Sequence, residues 1–279
     1  MPSYHRPASL DDALNVLAET GAQVAAGCTD LFPATEARAL PGQILDITGI
    51  ADLRAIERNE DGMRIGAGVR WRDMLRGDLP RALDMLVEAA REVGSTQIQA
   101  AGTLVGNICN ASPAADGMPC LLALDAEVEI ASLDGSRHMP LSDFVTGPRR
   151  IALRPGELVT GFWLPAAALA GRSRFRKLGA RRYLVISIAM VAVRIVEKAG
   201  KVSRAALSVG ACGPVATRLA AQEAALVGCP VGQMARAVRN DLILPALAPL
   251  DDIRADAAYR GTAAAELVRQ ALADLEHAG

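Results

Sequence analysis

One segment limits what this chain can fold into more than any other. Between Gln97 and Pro119 it reads Gln-Ile-Gln-Ala-Ala-Gly-Thr-Leu-Val-Gly-Asn-Ile-Cys-Asn-Ala-Ser-Pro-Ala-Ala-Asp-Gly-Met-Pro. These 23 residues are small, amide-rich and nearly uncharged, and they show neither the 3.6 period of a helix nor the alternation of a strand. Inside a compact domain such a stretch reads as a long loop. Its low charge and apolar flanks argue against disorder and for a functional role.

The elements around it alternate. Ser9 is placed to cap a helix on which Leu10, Leu14 and Leu17 share a face, with Asp12 at the third helical position. A short strand Val24-Ala25-Ala26 follows and runs into Gly27-Cys28-Thr29-Asp30-Leu31. Ile44–Ile47 and Met63–Ala67 read as strands, and Pro80 opens a helix through Leu83, Leu86, Val87 and Ala90. After the central segment come a helical turn over Cys120–Asp125, a strand over Ala126–Leu133, a turn at Asp134-Gly135 into Arg137–Leu141, and a strand over Glu157–Leu164. Beyond the Ala-rich connector 166–171 the pattern changes. Ser173–Lys177, Ile186–Val196 and Ala205–Gly210 read as strands, then Leu219–Val227, Val231–Leu242 and Thr262–Leu275 as helices. Strands followed by helices mark a separate C-terminal α+β domain, so the expected domains are 1–171 and 172–279.

Two segments have the chemistry to receive a dinucleotide pyrophosphate, which needs backbone N–H donors that approach closely from loops after strands. They are Ala26–Leu31 and Gly102–Asn107. Gly102 and Gly106 remove the Cβ atoms that block close approach, Thr103 adds a hydroxyl, Asn107 and Asn110 offer amides, and Asp116 offers a carboxylate able to accept from sugar hydroxyls. Glycines at this spacing also serve tight turns alone, so the motif by itself leaves both readings open. No Gly-x-Gly-x-x-Gly follows a strand, since Gly66-Ala67-Gly68-Val69-Arg70-Trp71 fails at its last position, and there is no phosphate-binding Gly-x-x-x-x-Gly-Lys-Ser/Thr loop.

Composition excludes other classes. With 30 Lys+Arg against 31 Asp+Glu over 279 residues, and the basic residues scattered, nothing gathers nucleic acid. No apolar run approaches the ~20 residues of a membrane span, and Met1–Thr20 lacks the pattern of a secretory signal, so the expected location is the cytoplasm. Cys28, Cys109, Cys120, Cys212 and Cys229 form no Cys-x-x-Cys pair, and His5, His138 and His277 lie far apart. No metal site and no catalytic side chain is expected of this chain, which points to a borrowed cofactor or to no chemistry at all. Cys109 and Cys120 read either as buried structural thiols or as redox partners.

The segment Gln97–Asp116, together with Ala26-Gly27-Cys28-Thr29-Asp30-Leu31, resembles the FAD-binding medium subunits of molybdenum hydroxylases, the family of xanthine and carbon monoxide dehydrogenases. Tyr4-His5-Arg6-Pro7, Pro140-Leu141-x-x-Phe144-x-x-Gly147, Lys177-Leu-Gly-x-Arg181-Arg182, Gly210-x-x-x-Pro214-x-x-x-Arg218 and Tyr259-Arg260 are similar to family positions in the same order, over essentially the whole chain. The resemblance implies an α+β architecture: a two-subdomain FAD-binding domain of the vanillyl-alcohol-oxidase (PCMH) type and a small C-terminal α+β domain. It puts the first flavin loop on Ala26, Gly27, Cys28, Thr29 and Asp30, and the second on Gly102, Thr103, Gly106 and Asn107. An acid then falls on Asp116, an apolar contact to the isoalloxazine on Leu153, and a basic residue near the ring on Lys177. Where members commonly have Gly-Gly, this chain has Gly27-Cys28 and Val105-Gly106, and a Cβ there either pushes the loop outward or demands a different φ.

It also implies a role. A large molybdopterin subunit hydroxylates the substrate, electrons cross [2Fe–2S] clusters in a small subunit, and the non-covalent FAD of this chain passes them to NAD or another acceptor. The implied assembly is a dimer of heterotrimers, with the molybdenum cofactor and the [2Fe–2S] clusters only in the partner subunits. Two other readings are a free-standing FAD-dependent oxidase and a scaffold subunit whose flavin site has decayed.

Overall fold

The computed structural model describes residues 3–36 and 40–277. The outer limits of the two expected domains, residues 1 and 279, fall outside the described residues. The first unit is small. β1 (Ser3–His5), β2 (Gln23–Ala25) and β3 (Gln43–Asp46) form a parallel sheet in the order β1-β3-β2, with α1 (Leu10–Thr20) packed on it. The Ser9 hydroxyl accepts from the Asp12 N–H at 3.1 Å, Gly21 ends the helix at φ +59, and Ala13, Leu14 and Leu17 are buried, as the apolar spacing requires.

The second unit is a five-stranded antiparallel sheet in the order β4-β5-β10-β6-β7, made of β4 (Ile56–Arg58), β5 (Gly62–Gly66), β6 (Glu127–Ser132), β7 (Gly135–Pro140) and β10 (Leu158–Pro165). Between β5 and β6 the chain makes α2 (Trp71–Met74), α3 (Asp84–Glu92), α4 (Thr96–Ala101), α5 (Leu104–Cys109) and α6 (Gly117–Ala123). After β7 come α7 (Leu141–Phe144) and a hairpin of β8 (Val145–Gly147) and β9 (Arg150–Ile151). In the β6–β7 hairpin Ser132 pairs with Gly135, so the turn residues are Leu133 and Asp134 and the turn lies one residue earlier than expected.

The third unit is the antiparallel sheet β11 (Arg172–Leu178), β12 (Ala189–Lys198), β13 (Lys201–Gly210) and β14 (Thr217–Arg218), covered by α8 (Ala220–Leu226), α9 (Asn240–Ile243) and α10 (Ala257–His277). β12 explains why its sequence is an unbroken apolar run. Ala189, Val191, Val193 and Ile195 face the cluster under α10, whereas Met190 and Ala192 face the larger core of the first two units, so both faces are buried. Arg194 on that second face, 2% exposed, donates to the Ala123 and Ala167 carbonyls at 2.9 and 3.3 Å and to Asp125 at 3.1 Å. Arg218 adds bonds to the Leu122 carbonyl and Asp125. Two arginines of the third sheet thus satisfy the last carbonyls of α6, where positive charge also complements the helix C-terminus.

Two expectations are corrected. The segment from Gln97 to Pro119 is not loop throughout: most of it lies in α4, α5 and the start of α6. Helices of about six residues are too short to show a period, and they are started by side-chain caps, Ser95 to the Ile98 N–H and Thr103 to the Gly106 N–H. Conversely, 231–242 is not one helix but a 3₁₀ turn (Val231–Gln233) and α9. The buried Gln222 side chain accepts from the Arg239 N–H at 2.8 Å and donates to the Ala237 carbonyl at 3.1 Å, taking up backbone groups that a continuous helix would pair internally.

Candidate functional site

Residues 26–36 leave the carboxyl end of β2, and Asp46 and Ile47 leave that of β3, so the ligand position is the usual one for parallel strands. The loop turns through Cys28, whose φ is +56. Where a Cβ was expected to demand a different φ, the chain keeps the left-handed conformation and carries the strain of a cysteine in it. The Phe32 N–H returns to the Cys28 carbonyl and the Ala34 N–H to that of Asp30. The N–H groups of Cys28, Thr29 and Asp30 donate to no acceptor among the described residues. On its inner side the loop lies against the end of α4: a Cβ on Gly27 would land on the Ala101 carbonyl oxygen, which leaves glycine as the residue that fits.

The second loop is held from behind. The Trp71 N–H donates to the Gly102 carbonyl at 3.1 Å and the Leu104 N–H to that of Val69 at 3.1 Å, fixing 102–104 along 69–71. The Thr103 hydroxyl accepts from the Gly106 N–H at 3.0 Å, and a Cβ on Gly106 would come within 2.7 Å of that oxygen. Val105 sits inside α5, buried, without left-handed backbone.

Between the loops lies a cavity of about 550 Å³, the size of a small-molecule site. Ala26, Gly27, Cys28, Thr29, Asp30, Thr103, Gly106, Asn107 and Leu153 all line it, so nine residues singled out in three separate stretches of sequence meet at one place. Gly102 stands directly behind, where a Cβ would meet the Thr29 side chain at 3.2 Å. Asp116 and Lys177 are outside the lining. Their side chains form a buried ion pair at 2.8 Å, and the other Asp116 oxygen accepts from the Ser187 hydroxyl at 3.0 Å. Burial raises the Asp116 pKa, opposed by Lys177 and Ser187. They stand one hydrogen bond from the cavity, because the Gly117 N–H donates to Asn107 Oδ1 at 3.2 Å.

That bond also determines what the cavity presents. With Oδ1 of Asn107 held by Gly117, and Oδ1 of Asn110 held by Arg149, each amide has its NH₂ left to give. The two amides therefore present donors suited to phosphate and carbonyl oxygens, beside the Asp30 carboxylate, while Val24, Ile47, Trp71, Ile151, Leu153 and Val159 supply apolar walls. Trp71, Ile47, Ile151 and Val159 carried no signal in sequence, since none stands in a pattern with ligand chemistry. Cys109 also lines the cavity, but desolvation pushes its thiol up to about 12; burial likewise raises those of Cys28 and Cys120. None is a poised thiolate. A cleft with amide donors, apolar walls, strained and glycine-dependent loops and no metal-holding cluster among the described residues has the chemistry to receive a phosphorylated, planar cofactor.

Comparison with known proteins gives the class a family. Residues 1–167 match the FAD binding domain in molybdopterin dehydrogenase, and residues 174–275 the CO dehydrogenase flavoprotein C-terminal domain. The chain is 31% identical over 264 residues to the xanthine dehydrogenase FAD-binding subunit of Escherichia coli O157:H7, covering 92% of this chain and 90% of that one. It is 31% identical over 276 residues to the carbon monoxide dehydrogenase medium chain of Afipia carboxidovorans, covering 96% and 94%. Its fold superposes on reconstituted CO dehydrogenase from Oligotropha carboxidovorans with a TM-score of 0.91 at 26% identity, covering 100% of both chains. The chain belongs to the family of FAD-binding medium subunits of molybdenum hydroxylases and is an oxidoreductase subunit. No described helix is long and apolar enough to cross a membrane.

Proposed function

We propose that this chain binds one FAD non-covalently in the 26–31/103–107 cavity, and that it relays electrons from [2Fe–2S] clusters of a small partner subunit to NAD or another acceptor. Substrate hydroxylation belongs, on this reading, to a large molybdopterin subunit, within a dimer of heterotrimers in the cytoplasm. The division of labour within the chain is an FAD-binding domain over 1–171 and a C-terminal domain over 172–279.

The observation that carries the reading is the convergence of nine predicted residues on one donor-lined cavity. The N–H groups of Cys28, Thr29 and Asp30 and the amides of Asn107 and Asn110 would take the pyrophosphate and polar edges, and Leu153 and its apolar neighbours the ring system. When bound, the flavin supplies exchange between one- and two-electron carriers. Asp116 and Lys177, just behind Asn107, hold a fixed pair of charges at the inner end of the site. Non-covalent attachment is supported by the lining: no described histidine lines the cavity, and burial raises the pKa of its two cysteines.

The test is an absorbance spectrum of the purified chain followed by acid precipitation. About one flavin per chain is expected, released into the supernatant. A colourless protein that takes up no added FAD overturns the assignment, and colour kept in the pellet overturns non-covalent binding. The chain alone should pass electrons from NADH to a dye but hydroxylate nothing. Metal-free turnover of an organic substrate by the single chain would favour the oxidase reading.

A further inference from the structure

The β8–β9 hairpin ends beside the cavity on two adjacent arginines. Gly147 pairs with Arg150, so Pro148 and Arg149 are the two turn residues. Arg149 has φ +57, at the position where a Pro-initiated type II turn normally takes glycine or asparagine. A long charged side chain is kept there against the backbone preference, and strain of that kind is commonly tied to a site.

The arginine is also fixed. Its N–H donates to the Ala111 carbonyl at 2.8 Å, and its guanidinium donates to the Asn110 carbonyl at 3.0 Å and to Asn110 Oδ1. Those acceptors are neutral, so the charge is positioned without being neutralised. The buried arginines differ: Arg194 and Arg260 each face a carboxylate. Neither Arg149 nor Arg150 forms an ion pair with any described residue, and both are exposed. Asn110 and Ile151, their immediate neighbours in space and in sequence, line the cavity.

We infer that the Arg149-Arg150 tip is an anion-recognition point at the mouth of the cavity, and that its ligand is the phosphate portion of a pyridine dinucleotide. The inference rests on the reading above, in which such a dinucleotide exchanges electrons with the cavity's occupant. The cavity has its own donors for the occupant's pyrophosphate in Cys28–Asp30, Asn107 and Asn110, whereas the two guanidiniums stand outside Asn110, toward solvent. Adjacent guanidiniums, one fixed and one free, offer planar forks that match the oxygens of a diphosphate.

The test titrates the FAD-loaded chain with ADP-ribose, which carries the pyrophosphate but undergoes no redox reaction, by calorimetry at two salt concentrations. The parent should bind, more weakly at high salt. R149G and R150Q should each raise Kd by about fivefold or more, as expected for loss of a charge-assisted contact. The flavin absorbance per chain of R150Q, whose side chain bonds to no residue that lines the cavity, should stay unchanged. A parent that does not bind ADP-ribose, or variants with the parent's Kd, would overturn the inference. Loss of flavin by R150Q in step with its loss of ADP-ribose affinity would also overturn it, assigning the arginines to the pyrophosphate of FAD. A chain that holds no FAD at all defeats the reading of the cavity, and the inference with it.

Discussion

Cys28 shows how one residue can keep a functional loop in shape at a cost. Its φ of +56 is a glycine's conformation, so Cys28→Gly should raise stability by roughly 0.5–1 kcal/mol and leave flavin content unchanged, read as a higher melting temperature of the FAD-loaded protein. Gly27→Ala should do the opposite: its Cβ meets the Ala101 carbonyl, so a loss of about 1–3 kcal/mol and weaker FAD retention are expected in the same assay. Glu157 gives a pH signature. Its bidentate bonds with Arg137, at 2.7 and 2.8 Å, hold the carboxyl below its ordinary value of 4.5. A depressed folded-state pKa stabilises the fold above the unfolded pKa and is lost as pH falls through the folded one. The melting-temperature gap between parent and Glu157→Gln should therefore be full near neutral pH and close progressively below about pH 4.5.

Among the elements, α5 is the one on which the site most depends. It has six residues, too few to be stable alone, and its start relies on the Thr103 hydroxyl and on pairing with 69–71. Thr103→Ala should cost about 0.5–2 kcal/mol, and Thr103→Ser should recover most of it, in denaturant titrations of the two variants. FAD affinity should follow the same order, since Gly106 and Asn107 are placed by that turn. The helix was illegible in sequence for the reason that makes it dependent: with no room for a period, only the Thr103 cap hints at it, and a threonine before apolar residues is common.

In the whole molecule, the third sheet is joined to the first two units by polar groups sunk into an apolar seam. Arg194, Arg218 and the Lys177–Asp116 pair all bridge between α6, or the residues at its two ends, and β11, β12 or β14. Removing one partner of a buried pair leaves the other uncompensated, so Lys177→Met should destabilise by about 3–5 kcal/mol, whereas Lys177→Met with Asp116→Leu should recover much of that. Arg194→Leu should strand the Ala123 and Ala167 carbonyls and loosen the seam, splitting a single calorimetric transition into two.

The chain's sequence determined what depends on near neighbours or on side-chain type. The Ser9 cap and its amphipathic helix, most strands of the three sheets though not β1, β4 or β14, and the small residues of both loops were readable there because cap, period and missing Cβ are local properties. Only the tertiary structure decided that residues 26–30, 103–107 and 153 would face one cavity, and that the Asn107 and Asn110 amides would turn their donors to it. It alone bonded Asp116 to Lys177 and Ser187, and broke 231–242 around the Gln222 side chain. Each of these outcomes is set by a partner between 15 and 71 residues away in sequence or farther, except Asn107, whose partner Gly117 is 10 away. Such pairings follow from packing, and no local pattern carries them.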